Sequence, residues 1–294
     1  MVFARVNKAE VEKILIQGNQ INGKFFERFF LTDADEKNYE GSAWKDPDGY
    51  PKLSEVQRES HARWGRPSQI FLSPYLFHSL EGRVIVQSSG YSHSFALSLS
   101  VCADWERRFG KSLISRSIYP HVRGIPVLSR SGRYVLKMLV NGAVRKVCID
   151  EFLPVKSEGE VELMCSSSLG REEIWACLYE KAYFKLHGSY DFTGWTSCED
   201  LHALCGWIPE EIHLHSMEGG GGGGGGGGEE VVISAVPVEN VDSGSDDGIV
   251  EGEVERSNDR YCCFCSPTRC CRLILIDASV VSLYHSFASE RTSL

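Results

Sequence analysis

The sequence predicts an α+β fold, and three stretches carry this prediction. Residues 134–150, YVLKMLVNGAVRKVCID, contain two β-rich runs joined by Asn141 and Gly142, a pair that supplies the positive φ angles of a type I′ turn. Residues 94–110 and 171–188 each place apolar side chains at the three- and four-residue spacing of a helix with one buried face. A β-hairpin packed with two amphipathic helices is therefore expected.

Before the hairpin, the sequence predicts a short helix, then a polar loop, and then the start of a second helix. Residues 9–23, AEVEKILIQGNQING, have apolar residues at helical spacing and end in Gly and Asn, which predicts a short helix and a turn. Residues 33–55 are rich in Asp, Gly, Pro and Asn and are expected to form a loop over the surface. The helix in residues 94–110 is expected to start between Ser92 and Ser94, because serine is a favoured N-cap.

The helix predicted in residues 171–188 is marked at both ends. Two acids, Glu172 and Glu173, stand where its first turn is expected, and Gly188 follows its last turn. Acids are favoured by the dipole at a helix start, and glycine is favoured just past a helix end. A buried amphipathic helix is expected here.

Composition and charge limit the class of protein. The chain is 42% hydrophobic and 11% aromatic, which is enough for a sizeable core. Its net charge of -9 is concentrated in residues 229–255, which carry nine acids and no base, so that the rest of the chain is near neutral. A near-neutral body gives no electrostatic reason to expect binding to nucleic acid or to an anionic membrane.

The start of the chain and the cysteines indicate the compartment. Residues 1–13 have no apolar core behind a basic start, which predicts no secretory signal, and no run of eighteen apolar residues predicts a membrane span. A cytoplasmic location is expected. Of eleven cysteines, six stand in apolar context and are expected to be buried free thiols. These six are Cys102, Cys148, Cys165, Cys177, Cys198 and Cys205.

Shifts in composition divide the chain into four expected segments. Residues 1–68 lead into the folded core, and residues 69–216 form it. Residues 217–257 contain ten consecutive glycines and an acidic Ser/Gly/Asp stretch, and are expected to be a disordered linker. Residues 258–294 are expected to be a weakly structured tail. The cluster CCFCSPTRCC within it leaves three readings open: zinc ligands, acylated cysteines that dock on a membrane, or an unfolded extension.

Several stretches, in this order along the chain, resemble one family of enzymes. They are INGKFF, DPDGYPKLSEVQ, ARWGRPSQI, QSSGYSHSF, CADWERRFGKSLISRSIYP, GRYVLKMLVNGAVRKVCIDEFLPV, EEIWACLYEKAYFKLHGSYDF and DLHALCGWIPEEI, within residues 20–213. The chain resembles the first half of the catalytic core of the calpains, a family of calcium-dependent cysteine endopeptidases. The likeness is greatest to the PalB-type calpains, the subfamily of the seventh mammalian calpain. The resemblance implies a papain-like fold, of which these residues form the helical first subdomain.

The resemblance places the active-site turn of the calpains at QSSGYSHSF. In that family a glutamine stands six positions before the nucleophilic cysteine, and here Gln87 matches the glutamine and His93 the cysteine. A helix N-terminus favours thiolate over thiol, and the glutamine donates to the oxyanion of the tetrahedral intermediate. Gln87 fits the role of oxyanion donor, whereas the imidazole of His93 lacks the nucleophilicity of a thiolate.

No neighbouring residue is expected to replace the missing nucleophile. Ser92 and Ser94 are one residue away, which on a helix rotates the side chain by about 100°. Cys102 is nine positions on, and its apolar surroundings predict an inert core thiol. We therefore expect His93 to be a polar side chain at the rim of a cleft.

The catalytic histidine and asparagine of calpains have no match either. The family carries them in stretches similar to His-Ala-Tyr and Asn-Pro-Trp, and neither stretch occurs in this sequence. His213 and His215 stand at the end of the first subdomain by resemblance, and His285 stands in LYHSFA. A catalytic triad needs all of its members within reach, so the sequence predicts no peptide hydrolysis.

Calcium is suggested by resemblance alone. Many calpains bind it through carboxylates and backbone oxygens, and Glu173 in EEIW matches one of the ligands. The usual acidic companion, three residues before the glutamine, is Val84 here. One carboxylate is too few for a firm site, and Glu173 equally suits the start of a helix. No cofactor is certain, and calcium stays open.

Three functions remain open at this point. In the first, the chain is a pseudoprotease that binds a protein or peptide partner through its half of the cleft. In the second, it is a working calcium-dependent cysteine endopeptidase. In the third, it is a truncated or misread gene product in which the sequence after Gly219 replaces the second subdomain. Analogy to the family adds proteins of the endosomal sorting machinery as partners.

Overall fold

The computed structural model describes residues 7–78, 80–82, 85–87, 93–156, 162–168, 172–191, 196–214, 230–236 and 273–276. The helices of these residues are α1 (Lys8–Gly18), α2 (Asp33–Glu40), α3 (Glu55–Glu59), α4 (Pro67–Ile70), α5 (His93–Phe109), α6 (Trp175–His187) and α7 (Ser197–Cys205). The strands are β1 (Gln20–Ile21), β2 (Lys24–Phe25), β3 (Arg63–Gly65), β4 (Ile85–Val86), β5 (Ile118–Tyr119), β6 (His121–Val122), β7 (Ile125–Pro126), β8 (Arg133–Val140), β9 (Ala143–Asp150), β10 (Leu153–Lys156), β11 (Glu162–Leu163), β12 (Ser167–Ser168), β13 (Ile208–Leu214), β14 (Glu230–Val236) and β15 (Leu273–Ile276). This mixture confirms the expected α+β class.

The predicted hairpin is confirmed as β8 and β9. The two strands pair antiparallel along their whole length, from Arg133 opposite Asp150 to Val140 opposite Ala143. The turn has φ angles of 52° at Asn141 and 68° at Gly142, the left-handed pair that a type I′ turn requires. Strand β5 pairs with β8 and extends the hairpin to a three-stranded sheet.

Two long helices pack with this sheet to form the core. Helix α5 begins at His93, within one residue of the expected start, and its Phe95 ring stacks on Tyr183 of α6 at 4.2 Å. Helix α6 is buried at every position from Trp175 to Leu186 and ends at Gly188, where φ is 84°. Its start differs from the expectation, because Glu172 and Glu173 lie before the helix rather than in its first turn.

The first fifty residues depart from the sequence expectation at one place. Helix α1 forms as predicted. Residues 33–55 were expected to be a loop, and that prediction is wrong for α2, which begins in this stretch. The hydroxyl of Thr32 accepts a hydrogen bond from the backbone N–H of Asp35, and the Asp35 carboxylate accepts one from the N–H of Thr32. This reciprocal capping box starts a helix without an apolar repeat in the sequence.

Acidic residues of this N-terminal stretch pair with cations of the hairpin and of α6 inside the protein. We call this group the buried ion-pair cluster. Its members, all buried, are Asp35, Asp46, Arg133, Lys146, Asp150, Lys181 and Lys185. Lys185 Nζ lies 2.7 Å from Asp46 Oδ2, Arg133 Nη2 lies 2.8 Å from Asp35 Oδ1, and Lys181 forms an ion pair with Asp150. The cluster therefore ties α2 and the segment after it to the core.

Further hydrogen bonds stabilise several members of the cluster. The Lys181 ammonium also donates to the backbone carbonyls of Asp150 and Phe152, at 2.9 and 2.7 Å. Burial by itself raises the pKa of Asp35, but hydrogen bonds from Lys146, Thr32 and Arg133 outweigh it and hold that pKa well below its usual range. The Asp35 carboxylate is thus kept charged against two cations.

The last strands form a separate three-stranded sheet in the order β13, β14, β15. Ile208 pairs with Val236 and Leu214 with Glu230, and Val232 pairs with Ile276. Strand β14 lies inside residues 217–257, which were expected to be disordered, and its sequence EVVISAV is rich in β-branched residues that suit a strand. The ten glycines and the CCFCSPTRCC cluster lie outside the described residues.

The six cysteines predicted to stay out of disulfide bonds form none in the structure. Cys102, Cys165 and Cys177 are buried, and the other three are partly buried. No disulfide forms among these described residues, as the sequence context indicates.

One glycine fixes how closely the chain passes over α5. A Cβ atom added at Gly82 would lie 2.1 Å from the backbone carbonyl oxygen of Ser100. Any other residue would therefore force the segment before β4 away from the helix.

Candidate active site

The turn singled out in the sequence lies between a short strand and the start of α5. Strand β4 pairs with β12, with Val86 opposite Ser167, and Gln87 follows it directly. Gln87 is half-buried. His93 is the first residue of α5 and is exposed. Residues 88–92 between them, including Ser92, lie outside the described residues.

His93 therefore occupies a helix N-terminus. The first backbone N–H groups of a helix have no partner within the helix, and its dipole places a partial positive charge there. A thiol at this position would be shifted toward thiolate. An imidazole at this position offers no thiolate for the dipole to stabilise.

The first turn of α5 is held in place by polar contacts with α6 and α7, which the sequence did not indicate. Ser94 and the hydroxyl of Tyr183 both hydrogen-bond the carboxylate of Asp200, and burial raises the pKa of that carboxylate to about 6. The Ser98 hydroxyl lies 3.4 Å from the backbone carbonyl of Ser197. Ser94 is thus engaged with α7, which agrees with its exclusion as a nucleophile.

Cys102 is the inert core thiol that the sequence predicted. It lies on the buried face of α5 and is 0% exposed. A hydrogen bond with Cys205 and burial both raise its pKa well above the ordinary value for a thiol. A thiol of this kind is neither ionised nor accessible.

Glu173 lies before α6 and joins two segments of the chain. It is 0% exposed, and its Oε1 accepts a hydrogen bond from the backbone N–H of His78 at 2.6 Å. Its Oε2 lies 3.4 Å from the indole Nε1 of Trp175, and a β-bridge joins Glu173 to Tyr75. Both carboxylate oxygens therefore bind protein N–H groups that tie residues 75–78 to the start of α6.

The calcium prediction rests on Glu173 and on position 84, and the structure describes only Glu173. Val84, the position of the companion ligand by resemblance, lies outside the described residues. Within the described part of the chain, no three His, Cys, Asp or Glu side chains are grouped closely enough to hold a metal ion. Calcium binding through Glu173 stays a prediction.

Of the histidines after residue 200, the structure describes His202 and His213. His202 of α7 contacts the backbone carbonyl of Trp207 through Nδ1, at 2.8 Å. His213 lies in β13 opposite Val231. His215 and His285 lie outside the described residues.

The sequence missed the polar contacts that support the site. No spacing rule links residues 94, 183 and 200, because they come from three helices. The buried ion-pair cluster had a weak signal: Lys181 and Lys185 stand on a helix that is buried on every side, where a charge needs a partner. No helix in the described residues is long and apolar enough to cross a membrane.

Comparison with known proteins places this geometry in a family. The family model described as "Calpain family cysteine protease" matches residues 47–220. Calpain-7 of Mus musculus is 40% identical over 209 residues, which cover 71% of this chain and 26% of that protein. Calpain-7 of Homo sapiens is also 40% identical over the same lengths. The calpain-like protease palB/cpr-8 of Neurospora crassa is 35% identical over 217 residues, which cover 69% of this chain and 23% of that protein.

The chain thus spans about a quarter of the length of the curated relatives that it matches. The region of this chain that the family model matches begins just before Asp48 and ends after β13. It includes the turn with Gln87 and His93. The resemblance seen in the order of the sequence motifs is confirmed: this chain belongs to the calpain family of cysteine proteases.

Proposed function

We propose that this chain is a calpain-type catalytic-domain protein that binds a protein or peptide partner without cleaving it. The observation that carries the proposal is His93, an exposed imidazole at the first position of α5. In the family this position holds the thiolate, and an imidazole there supplies no nucleophile for acyl transfer. Gln87 keeps the position of the oxyanion donor, which also suits the binding of a peptide carbonyl.

A second line of support comes from the general base. The 294 residues contain neither the His-Ala-Tyr nor the Asn-Pro-Trp stretch that would supply the histidine and asparagine. These residues by themselves supply neither a base nor its orienting partner, so a thiol at position 93 would need both from outside residues 1–294. Binding through one wall of the cleft remains available to residues 69–216.

Two alternatives keep some support. The relatives are named proteases, which favours a working calcium-dependent cysteine endopeptidase if the missing residues are supplied from elsewhere. The third function, a truncated or misread gene product, is favoured by the ten glycines at 219–228, where the matched region ends. Reading the DNA beyond the glycine codons in all frames tests this, since codons for His-Ala-Tyr and Asn-Pro-Trp there would support it.

The partner belongs to the same proposal. A half-cleft of a peptidase fits an extended peptide or a second protein, and analogy to the family makes endosomal sorting proteins the first ones to try. Calcium through Glu173 would add to binding only if backbone oxygens near that residue completed its coordination.

The deciding experiment is a labelling and hydrolysis assay on the full chain and on His93→Cys. The full chain is expected to be unlabelled by an epoxide probe for active-site thiolates and to cleave no peptide, with or without calcium. His93→Cys is expected to gain one thiol that iodoacetamide alkylates, because it lies exposed at a helix N-terminus. It is still expected to cleave no peptide, because these 294 residues supply no base.

The His93→Cys variant therefore also shows whether small reagents can reach position 93. Probe labelling of any cysteine of the unaltered protein, or hydrolysis that depends on calcium, would refute the binding function. Failure of His93→Cys to be alkylated would show instead that position 93 is not open to small molecules.

A further inference from the structure

Helix α5 turns one side of its surface toward α7. Ser98, Cys102 and Trp105 stand at four- and three-residue spacing on α5 and therefore share this side. The Ser98 hydroxyl lies 3.4 Å from the backbone carbonyl of Ser197, the first residue of α7. The Trp105 ring meets the ring of Trp207, just past the end of α7, with centroids 4.9 Å apart. Cys102 lies between these two contacts and so faces α7.

The opposing side of α7 presents a second thiol. Ser197, Leu201 and Cys205 stand at four-residue spacing and share one side of α7, the side that Ser197 turns toward α5. The Cys205 thiol donates to the backbone carbonyl of Leu201 at 2.8 Å, which keeps its sulfur beside the helix. Cys205 packs against the core cluster that contains Cys102, and the two thiols are hydrogen-bonded.

Two residues that face each other across packed helices are close enough for a disulfide. Helix axes pack about 8–10 Å apart and each Cα lies about 2.3 Å from its axis, so that facing Cα atoms are less than about 6 Å apart. A disulfide needs Cα atoms within about 7 Å. Cys198, the other cysteine of α7, is about 10 Å from Cys205 along the helix and is too far away.

The two facing thiols differ in their access to solvent. Cys205 is partly exposed, whereas Cys102 is 0% exposed. A small oxidant in solution therefore reaches Cys205 first. The burial that makes Cys102 inert toward reagents in solution does not separate it from Cys205, because a contact held by the fold replaces an encounter in solution.

We propose that Cys102 and Cys205 form a reversible, peroxide-dependent disulfide that joins α5 to α7. Hydrogen peroxide oxidises the Cys205 thiol to a sulfenic acid and is itself reduced to water. The Cys102 sulfur then attacks the Cys205 sulfur. The S–S bond forms, the S–O bond breaks, and the hydroxyl group leaves with the Cys102 proton as a second water. The two thiols together lose two electrons to the peroxide, and a dithiol reductant returns them.

The disulfide acts on the helix that anchors the candidate site. Asp200 of α7 hydrogen-bonds Ser94 in the first turn of α5. A covalent bond between the two helices keeps this anchor in place and with it the start of α5 at His93. Reversible disulfides of this kind are the ones that occur in reducing compartments.

A second pair of thiols provides a control within the same molecule. Cys165 and Cys177 are also hydrogen-bonded to each other, but both are 0% exposed. This pair has the same chemistry without access to solvent. Peroxide is therefore expected to leave Cys165 and Cys177 reduced while the protein stays folded.

The test treats the full chain, reduced and then freed of reductant, with dilute hydrogen peroxide. The protein is blocked with iodoacetamide, digested without reductant and mapped by mass spectrometry. The peptide pair joined through Cys102 and Cys205 is expected to increase at least tenfold over the untreated chain and to disappear after dithiothreitol. The midpoint of thermal denaturation is expected to rise by at least about 5 °C with the disulfide, because the bond closes a long loop in the unfolded chain.

Two variants and one control separate the two steps. Cys102→Ala removes the attacking sulfur, so that the Cys205 sulfenic acid accumulates and dimedone traps at least fivefold more of it than in the unaltered chain. Cys205→Ser is expected to leave Cys102 reduced in the presence of peroxide. Cys198→Ser changes another partly exposed cysteine of α7 and should form the disulfide as the unaltered chain does. If Cys102→Ala does not fold, Cys205→Ser carries the test, since position 205 is partly exposed.

The proposal fails if the folded, unaltered chain forms no disulfide between Cys102 and Cys205 with peroxide. It also fails if Cys165 and Cys177 are joined to the same extent, because access would then not decide which pair reacts. Equal dimedone labelling of Cys205 in Cys102→Ala and in the unaltered chain would contradict the second step, since Cys102 would then not consume the sulfenic acid.

Discussion

The N-terminus of α5 and the buried ion-pair cluster are both polar regions, but they are built in opposite ways. In the cluster, each carboxylate meets an ammonium or guanidinium group at ion-pair distance inside the core. At the helix start, the side chain that matters most by resemblance, His93, is exposed. We therefore expect the fold to depend on the cluster and to tolerate a change of the residue at position 93.

The largest effect is expected from breaking the cluster. Lys181→Met leaves the buried Asp150 carboxylate without its cation and two backbone carbonyls without their donor. The loss of one partner from a buried pair costs about 3–5 kcal/mol, and we expect this decrease in the free energy of unfolding, measured by urea denaturation at pH 7.

The matched control is an ion pair at the surface. Arg58 and Asp191 lie 3.6 Å apart with side chains 64% and 36% exposed, so that Arg58→Met is expected to cost less than about 1 kcal/mol. Equal losses from the two variants would contradict the distinction between the buried cluster and the rest of the polar surface.

A smaller effect is expected from pH, through Glu180 on the buried α6. Burial raises its pKa from 4.5 to about 7, so the folded protein holds this proton more tightly than the unfolded chain does. Its contribution to stability is fully present below pH 4.5 and is lost as the pH rises toward 7, by up to about 3 kcal/mol. Glu180→Gln is expected to remove this part of the pH dependence when unfolding is measured between pH 4 and 8.

Comparing the pH dependence of unfolding for Glu180→Gln and for the unaltered chain separates the contribution of Glu180 from that of the other acids. If the stability difference between the two proteins does not change over this range, Glu180 is ionised in the fold and the buried region tolerates an unpaired charge. That would weaken the contrast with the exposed helix start.

The smallest effect is expected at the helix start itself. His93→Asp places a negative charge at the positive end of the α5 dipole, and this is expected to stabilise the protein by about 0.3–1 kcal/mol in thermal denaturation at low salt. Added salt should reduce the gain, because exposed charges are screened. A destabilisation of several kcal/mol would show that His93 is a structural residue, and the two regions would then differ less than we conclude.

The parts of the fold that follow from local sequence were predictable. The turn at Asn141 and Gly142 and the helix end at Gly188 depend on φ angles that glycine and asparagine adopt at low cost. Helix α5 was found through its apolar spacing, although its anchoring by Asp200 was not. That contact joins three helices, and pairing between distant polar residues has no periodicity to reveal it.

The sequence analysis missed helix α2 and the buried ion-pair cluster for the same reason. The stretch from Asp33 to Glu55 reads as a solvated loop because it is acidic, and only the cations of the hairpin and α6 make burial of Asp35 and Asp46 favourable. The candidate site was predictable to the extent that it repeats a family spacing, from Gln87 to His93. What surrounds it depends on packing between segments far apart in the chain.

Gly82 has a consequence for any attempt to evolve activity in this scaffold. The backbone of Ser100 occupies the space that a side chain at position 82 would need, and position 82 lies just before the strand that leads to Gln87. A library that varies the residues around the turn would be expected to return glycine at this position in every folded clone. The path of the chain into the cleft is thus set by a residue that takes no part in chemistry, and a selection for a new nucleophile has to search around it.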